Sequence, residues 1–243
     1  MVIAAAPLAP ALGQQNPMGG VGQPGAAADS ERDQGTGPSG EDTARRAPPP
    51  DFGALDSVVY HLAPRSRLEV KTGKAGLFGF AGHSHVIRAE GFSGLVVYYP
   101  KTPERSHFAI TVSADSLRVL TPPDTAEIRK VTEAMRGEVL HVDQHHEIKL
   151  VSREVKPTSR GFHVVGDLTL VGETRPVPME LDVELGLDSV RARTSFAVKQ
   201  TDFGIKPYSG GPAGTVKVAD KVTFNIEAVA VRRAPAGAAG AER

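Results

Sequence analysis

Cysteine is absent from all 243 residues. That one absence excludes disulfides, thiolate metal sites, thiol nucleophiles and a lipid-anchored N-terminal cysteine, and it leaves the redox compartment undetermined. Tryptophan is absent too, and aromatics are only 5% of the chain, with nine Phe and four Tyr. Neither sign of charge prevails: Lys+Arg and Asp+Glu number 28 each, for a formal net charge of zero. A protein that holds nucleic acid or an anionic membrane surface by bulk charge is thereby disfavoured. The cations lie at outward strand positions such as Arg191, Arg193 and Lys199, with no aromatics interleaved as a nucleic-acid platform needs. No run approaches the roughly 20 apolar residues of a spanning helix, so no transmembrane helix is expected. Enzyme motifs are missing as well: no G-x-S-x-G elbow, no P-loop, and no G-x-G-x-x-G between a strand and a helix.

What is present is a long series of one-sided strands. From Val177 to Leu187 the odd positions Val177, Met179, Leu181, Val183, Leu185 and Leu187 are apolar, while Pro178, Glu180, Asp182, Glu184 and Gly186 alternate with them. Side chains alternate faces along a strand, so a period of two over eleven residues puts the aliphatics against a core and the carboxylates in solvent. The same beat marks residues 57–63, 67–71, 91–99, 108–114, 148–155, 162–171, 191–199 and 216–231. In the last of these, Val216, Val218, Val222, Phe224, Ile226 and Ala228 share a face. One stretch changes period: after Pro122-Pro123, Ile128, Val131 and Met135 fall at helical spacing and Gly137 closes the run, so Asp124 to Arg136 reads as the one helix.

The ends differ from this middle. Residues 1–12 are Ala/Pro-rich and apolar with no basic residue before Val2, and read either as a truncated export signal or as an Ala-rich end. The first reading expects a periplasmic or secreted protein, and the second is compatible with the cytoplasm. Residues 13–55 have the Pro/Gly-rich, polar composition of a disordered linker, and residues 233–243 that of a flexible tail. A single β domain is therefore expected over residues 56–232.

Roughly eight antiparallel strands joined by short turns fit an up-and-down barrel, because closure removes every edge. An eight-stranded barrel has room for one small ligand, and here the inward positions are mostly Val, Leu, Ile and Ala, too slight to fill a lumen. An outer-membrane barrel would turn its apolar face outward between aromatic girdles, which the absence of Trp and the inserted helix disfavour.

The run Gly166-Asp167-Leu168-Thr169-Leu170-Val171-Gly172-Glu173-Thr174-Arg175-Pro176-Val177 resembles the G-x-L-T-h-x-G-x-T-[KR]-P-h signature of the YceI-like family of polyisoprenoid-binding proteins. Thr201-Asp202-Phe203-Gly204-Ile205 resembles that family's x-D-F-G-I turn, and Gly82-His83-Ser84-His85 is similar to the G-H-x-H segment of one branch. The resemblance spans about residues 57–232. It implies a lipocalin-like barrel holding an isoprenoid or other long-chain lipid, usually in the bacterial periplasm, with no cofactor and no catalytic residues. One departure is Gln200, where many members carry Arg two residues before the Asp.

Candidate ligand-binding positions are Phe78, Phe80, Phe108, Leu168, Leu170, Phe196 and Phe203 near the lumen or its mouth. His83, His85 and Tyr208 are candidate polar contacts. Gly172 is read as the positive-φ residue of a hairpin turn, with Pro176 confined to the first position of the next strand. Tyr208 to Pro212, with Gly210 and Gly211, reads either as a lid over the mouth or as a long flexible hairpin. Two rivals stand beside the lipid carrier. One is a filled barrel serving as an interaction module. The other is a zinc enzyme drawing imidazoles from His83, His85, His141, His145 and His146, against which stands the lack of any H-E-x-x-H pattern. Monomer and homodimer are both left open.

Overall fold

A computed structural model describes residues 50–75, 84–120, 125–210 and 216–232. Its strands are β1 (Val58–Leu62), β2 (Arg67–Ala75), β3 (Val86–Ala89), β4 (Phe92–Tyr98), β5 (His107–Ser113), β6 (Leu117–Val119), β7 (Glu147–Pro157), β8 (Gly161–Leu170), β9 (Glu173–Leu185), β10 (Ser189–Lys199), β11 (Ser209–Gly210) and β12 (Val216–Arg232). The helix α1 spans Thr125–Ala134, between β6 and β7.

Three of the barrel's long strands are each broken by a bend. β2 and β1 lie one after the other along β12; β3 pairs with β2 and β4 with β1; β6 pairs with β3 and β5 with β4. Counted as β1/β2, β3/β4 and β5/β6, these join β7, β8, β9, β10 and β12 in a ring of eight, each paired antiparallel with the next and β12 closing on β1/β2. The up-and-down barrel expected from the alternation is thus the fold observed. Side chains satisfy the ladder where it breaks. Ser66 Oγ donates to the Val229 carbonyl and accepts from the Val229 N–H, both at 3.0 Å, at the β1/β2 bend. Ser152 Oγ accepts from the Phe108 N–H at 2.8 Å beside the bulge in β7.

Several boundaries differ from expectation for identifiable reasons. β3 and β6 are four and three residues long, too short for a period to register. β9 starts at Glu173 rather than Val177, so Pro176 and Pro178 lie inside it and not at its first position. Its first half pairs with β8 alone, since β9 meets β10 only from Asp182 to Leu185. A strand with one open side tolerates residues that donate nothing. At its other end β9 stops at Leu185, and Leu187 turns 45% of its surface to solvent, ending the beat two residues early. The helix also ends before Arg136: from Met135 to Val139 it widens to a π turn, closed by the Leu140 N–H on the Met135 carbonyl at 2.9 Å, with Gly137 inside it. Asp124 lies outside the described residues. The packed chain also begins ahead of the expected boundary at residue 56, because Phe52 is only 9% exposed.

Gly172 has φ +78 as expected, but Val171 precedes it at φ +49, giving the two positive values of a type I′ hairpin between β8 and β9. A β-branched residue rarely adopts that conformation, so the hairpin carries local strain at Val171.

Candidate functional site: a three-chambered lumen

The register places the apolar parity inside. Along β8 the side chains of Val164, Leu168 and Leu170 are 1%, 2% and 5% exposed, while Asp167 and Thr169 face out. On β9 Val177, Met179 and Val183 face in, and on β10 Val190 and Phe196 do. The wall they form leaves three adjoining spaces along the barrel.

The widest lies at the α1 end and has a volume of about 430 Å³. Val131, Met135 and Leu140 form one side and Ile87, Ile148, Leu170 and Phe224 the other. Its polar lining comes from Thr72, His85, Glu127, Lys130, Gln200, Tyr208 and Lys217. The helix sits here because β6 has a strand partner, β3, on one side only, and Ile128, Val131 and Met135 pack over Leu117 and Val119. Arg136 fastens the π turn through Nη2 to the Leu117 carbonyl at 3.3 Å.

A waist of about 60 Å³ follows, bounded by Leu68, Ile110, Leu150, Leu168, Phe196, Phe224 and Ile226. Phe196 and Phe224 face each other across the β10–β12 ladder, stacked with centroids 5.0 Å apart and planes at 6°. Beyond them a distal space of about 90 Å³ is lined by Leu62, Val96, Tyr98, Phe108, Phe162, Met179, Leu181, Val183 and Ala192, with Thr194 beside them. The Thr194 Oγ1 is buried without a hydrogen-bond partner. Helix-side space and waist share Val70, Ile87, Leu117, Ile148 and Phe224; waist and distal space share Ile110, Leu150 and Ile226. The three are segments of one lumen.

The predicted residues are distributed along it. Leu170, His85 and Tyr208 line the helix-side space, Leu168 and Phe196 the waist, and Phe108 the distal space. Phe203 does not line any of the three: 1% exposed, it fills the gap where β9 and β10 diverge, beneath a surface cleft edged by Pro176, Pro178 and Asp202. Its neighbours Gln200 and Ile205 reach the lumen instead. Phe78, Phe80 and His83 lie outside the described residues, as does much of the Gly-rich run after Tyr208. Alternation alone could have found Met179, Leu181, Val183 and Phe162, which share the inward parity with Leu168. Leu62, Val96 and Tyr98 needed the barrel's closure.

The departure at Gln200 has a structural counterpart. Gln200 is 7% exposed and its Nε2 donates to the Ala219 carbonyl at 2.9 Å, in the bulge of β12. The adjacent Asp220 accepts from the Thr201 N–H at 2.9 Å and from Thr201 Oγ1 at 2.8 Å, and these bonds hold its carboxyl below the usual carboxylate range. Gly204, at φ +70, then reverses the chain so that the Ile205 N–H returns to the Gln200 carbonyl at 3.1 Å. The turn is thereby pinned to β12 at the mouth.

For metal chemistry, no group of three or more His, Cys, Asp or Glu side chains comes together among the described residues. His85 lines the helix-side space, whereas His145 stands beside Gly172 at the β8–β9 turn. The described helix is also too short and polar to cross a membrane.

Residues 64–230 match the family model of the YceI-like domain. A UPF0312 protein of Serratia proteamaculans is 30% identical over 37% of this chain, an alignment spanning 43% of that relative's length. A UPF0312 protein of Pseudomonas aeruginosa is 25% identical over 63% of this chain and 84% of its own. Among solved structures, Burkholderia cenocepacia BcnA superposes with a TM-score of 0.54 at 16% identity, covering 68% of this chain and 96% of that one. A polyisoprenoid binding domain from Saccharophagus degradans, implicated in plant cell wall breakdown, gives 0.52 at 12% identity, covering 72% and 99%. At these identities the likeness is one of fold.

Proposed function

The chain belongs to the YceI-like family, and from that membership and its lumen we propose that it binds one elongated apolar ligand, an isoprenoid or other long-chain lipid, without catalysing a reaction. The observation that carries this reading is the division of the lumen: the waist and the distal space are walled mainly by apolar side chains, with Glu69, Ser106, His107 and Thr194 the polar exceptions, while most of the polar lining gathers in the helix-side space. A volume of about 430 Å³ on the helix side falls within the roughly 300–1,000 Å³ of small-molecule sites. An apolar tail entering from α1 would pass the Phe196/Phe224 stack and end in the distal space, while His85, Gln200 and Tyr208 stay near its head group. Burial of the tail supplies the driving force, at roughly 25 cal/mol per Å² of apolar surface before ordering costs are subtracted. The polyisoprenoid-binding description of the Saccharophagus degradans domain favours an isoprenoid tail over other lipids.

The test is native mass spectrometry of the full chain after exposure to a lipid-rich extract, together with uptake of a fluorescent long-chain lipid. One retained apolar ligand per chain and saturable uptake are expected. No retained mass and no uptake would refute the carrier and favour an interaction module.

A further inference from the structure

Aromatic rings drawn from three places in the chain gather at the distal end of the lumen. Tyr98, at the end of β4, and Phe162, near the start of β8, line the distal space and meet edge to face, with centroids 6.5 Å apart and planes at 75°. Phe52 does not line that space. It packs behind Tyr98, centroids 5.3 Å apart, as part of a cluster with Val58, Tyr60, Val183 and Val190. Phe52 also belongs to no strand. A local turn holds it: the Gly53 N–H donates to Asp51 Oδ1 at 2.8 Å, Gly53 has φ +57, and the Leu55 N–H returns to the Phe52 carbonyl at 3.2 Å. The segment is tied across to the β4–β5 connection by Lys101 Nζ on Asp56 Oδ1 at 3.1 Å, both exposed.

We infer that Phe52 is the stopper of the lumen: by backing Tyr98 it fixes where the distal space ends and so sets the longest chain the protein accepts. This inference rests on the lumen being the ligand site. A stopper carried on a short turn outside the ladder can be thinned without breaking a strand pairing, which separates its role from that of the wall. The walls determine that the ligand is apolar, and Phe52 determines its length.

The experiment measures affinity of the full chain for saturated fatty acids of increasing length, for wild type, Phe52→Leu and Phe52→Ala, with thermal unfolding of each variant recorded. For wild type, affinity rises by roughly fourfold per added methylene until the tail reaches Tyr98, then levels or falls. In Phe52→Ala the break moves to longer chains, while affinities for acids shorter than the wild-type break stay within about twofold. Phe52→Leu, which keeps an apolar side chain against Tyr98, moves it less. A break at the same length in all three proteins overturns the stopper while leaving the carrier intact. Absence of binding at every length in folded wild type overturns the lumen reading and the stopper with it.

Discussion

The helix-side and distal ends of the same lumen are built on opposite plans. The distal end is enclosed by regular strand alternation from β4, β5, β8, β9 and β10, with ladders that leave about 90 Å³ among Leu, Val, Met and aromatic side chains. Past the bends in β1/β2, β3/β4 and β5/β6, toward the helix-side end, regularity fails: β9 has parted from β10, and α1, the π turn and the turn at Gln200 fill in. The result is about 430 Å³ and the polar lining. A pleated wall in register turns mainly apolar side chains to its inner face, whereas irregular segments bring in polar ones such as Gln200 and Tyr208. Volume and polar lining therefore collect where the sheet breaks, and the smaller, mainly apolar space where it runs in register.

Removing the division between the two ends should have the largest effect. Phe196→Ala deletes one ring of the waist stack, and a buried Phe→Ala change costs about 3–5 kcal/mol. The expected outcome is a clearly lower chemical-denaturation midpoint together with looser discrimination between long and short tails. Unchanged stability would place the ring outside the core.

Filling only the distal end should act on ligands and less on the fold. Ala192 faces the distal space, and Ala192→Phe occupies it, with overpacking costing about 1–3 kcal/mol. Affinity for long tails is expected to fall at least tenfold while short tails, which end before the waist, keep theirs. Unchanged affinity at every length would mean that the tail does not reach this far.

The distal end also carries an alkaline signature. Tyr60 is fully buried, its hydroxyl donates to the Gly186 carbonyl at 2.9 Å, and burial pushes its pKa from 10.0 up to about 12. The folded state favours the neutral phenol. The stabilisation is therefore complete below pH 10 and is lost as pH rises toward about 12. Denaturant midpoints measured across that window should fall in wild type, and the Tyr60-dependent part of the fall should vanish in Tyr60→Phe.

The smallest expected effect concerns Thr194, whose buried Oγ1 has no partner in a mainly apolar wall. Thr194→Val keeps the shape and removes the unpaired hydroxyl, so stability should rise by about 1 kcal/mol. A fall would show that the hydroxyl finds a partner in solution.

The same contrast explains what could be read from the sequence. Wherever a strand runs unbroken, as in β8 or β10, its polarity pattern states which residues face the lumen, and Leu168, Leu170 and Phe196 lie inside as their parity requires. The resemblance to a family supplied the likeness of the whole, which no periodicity could. Legibility ended where the ladder ends. β3 and β6 are too short for a pattern, the π turn changes the helical period at Met135, and Phe203 was drawn toward the lumen by its motif although the gap between β9 and β10 is what it fills. Phe52 looked like linker by composition, because one aromatic in a Pro/Gly-rich stretch carries no period. Tyr98 and Leu62 gained their roles only from the curvature that brings β1 and β4 around to face β9.

The most direct test of the central claim, a tail threaded from the α1 end to the distal end, is photo-crosslinking with a long-chain fatty acid bearing a diazirine at its terminal carbon, the adduct mapped by peptide mass spectrometry. Threading predicts adducts on the distal lining, around Met179, Val183 and Ala192, with none on α1. Adducts confined to α1, or scattered over the outward faces of β7 to β10, would contradict it.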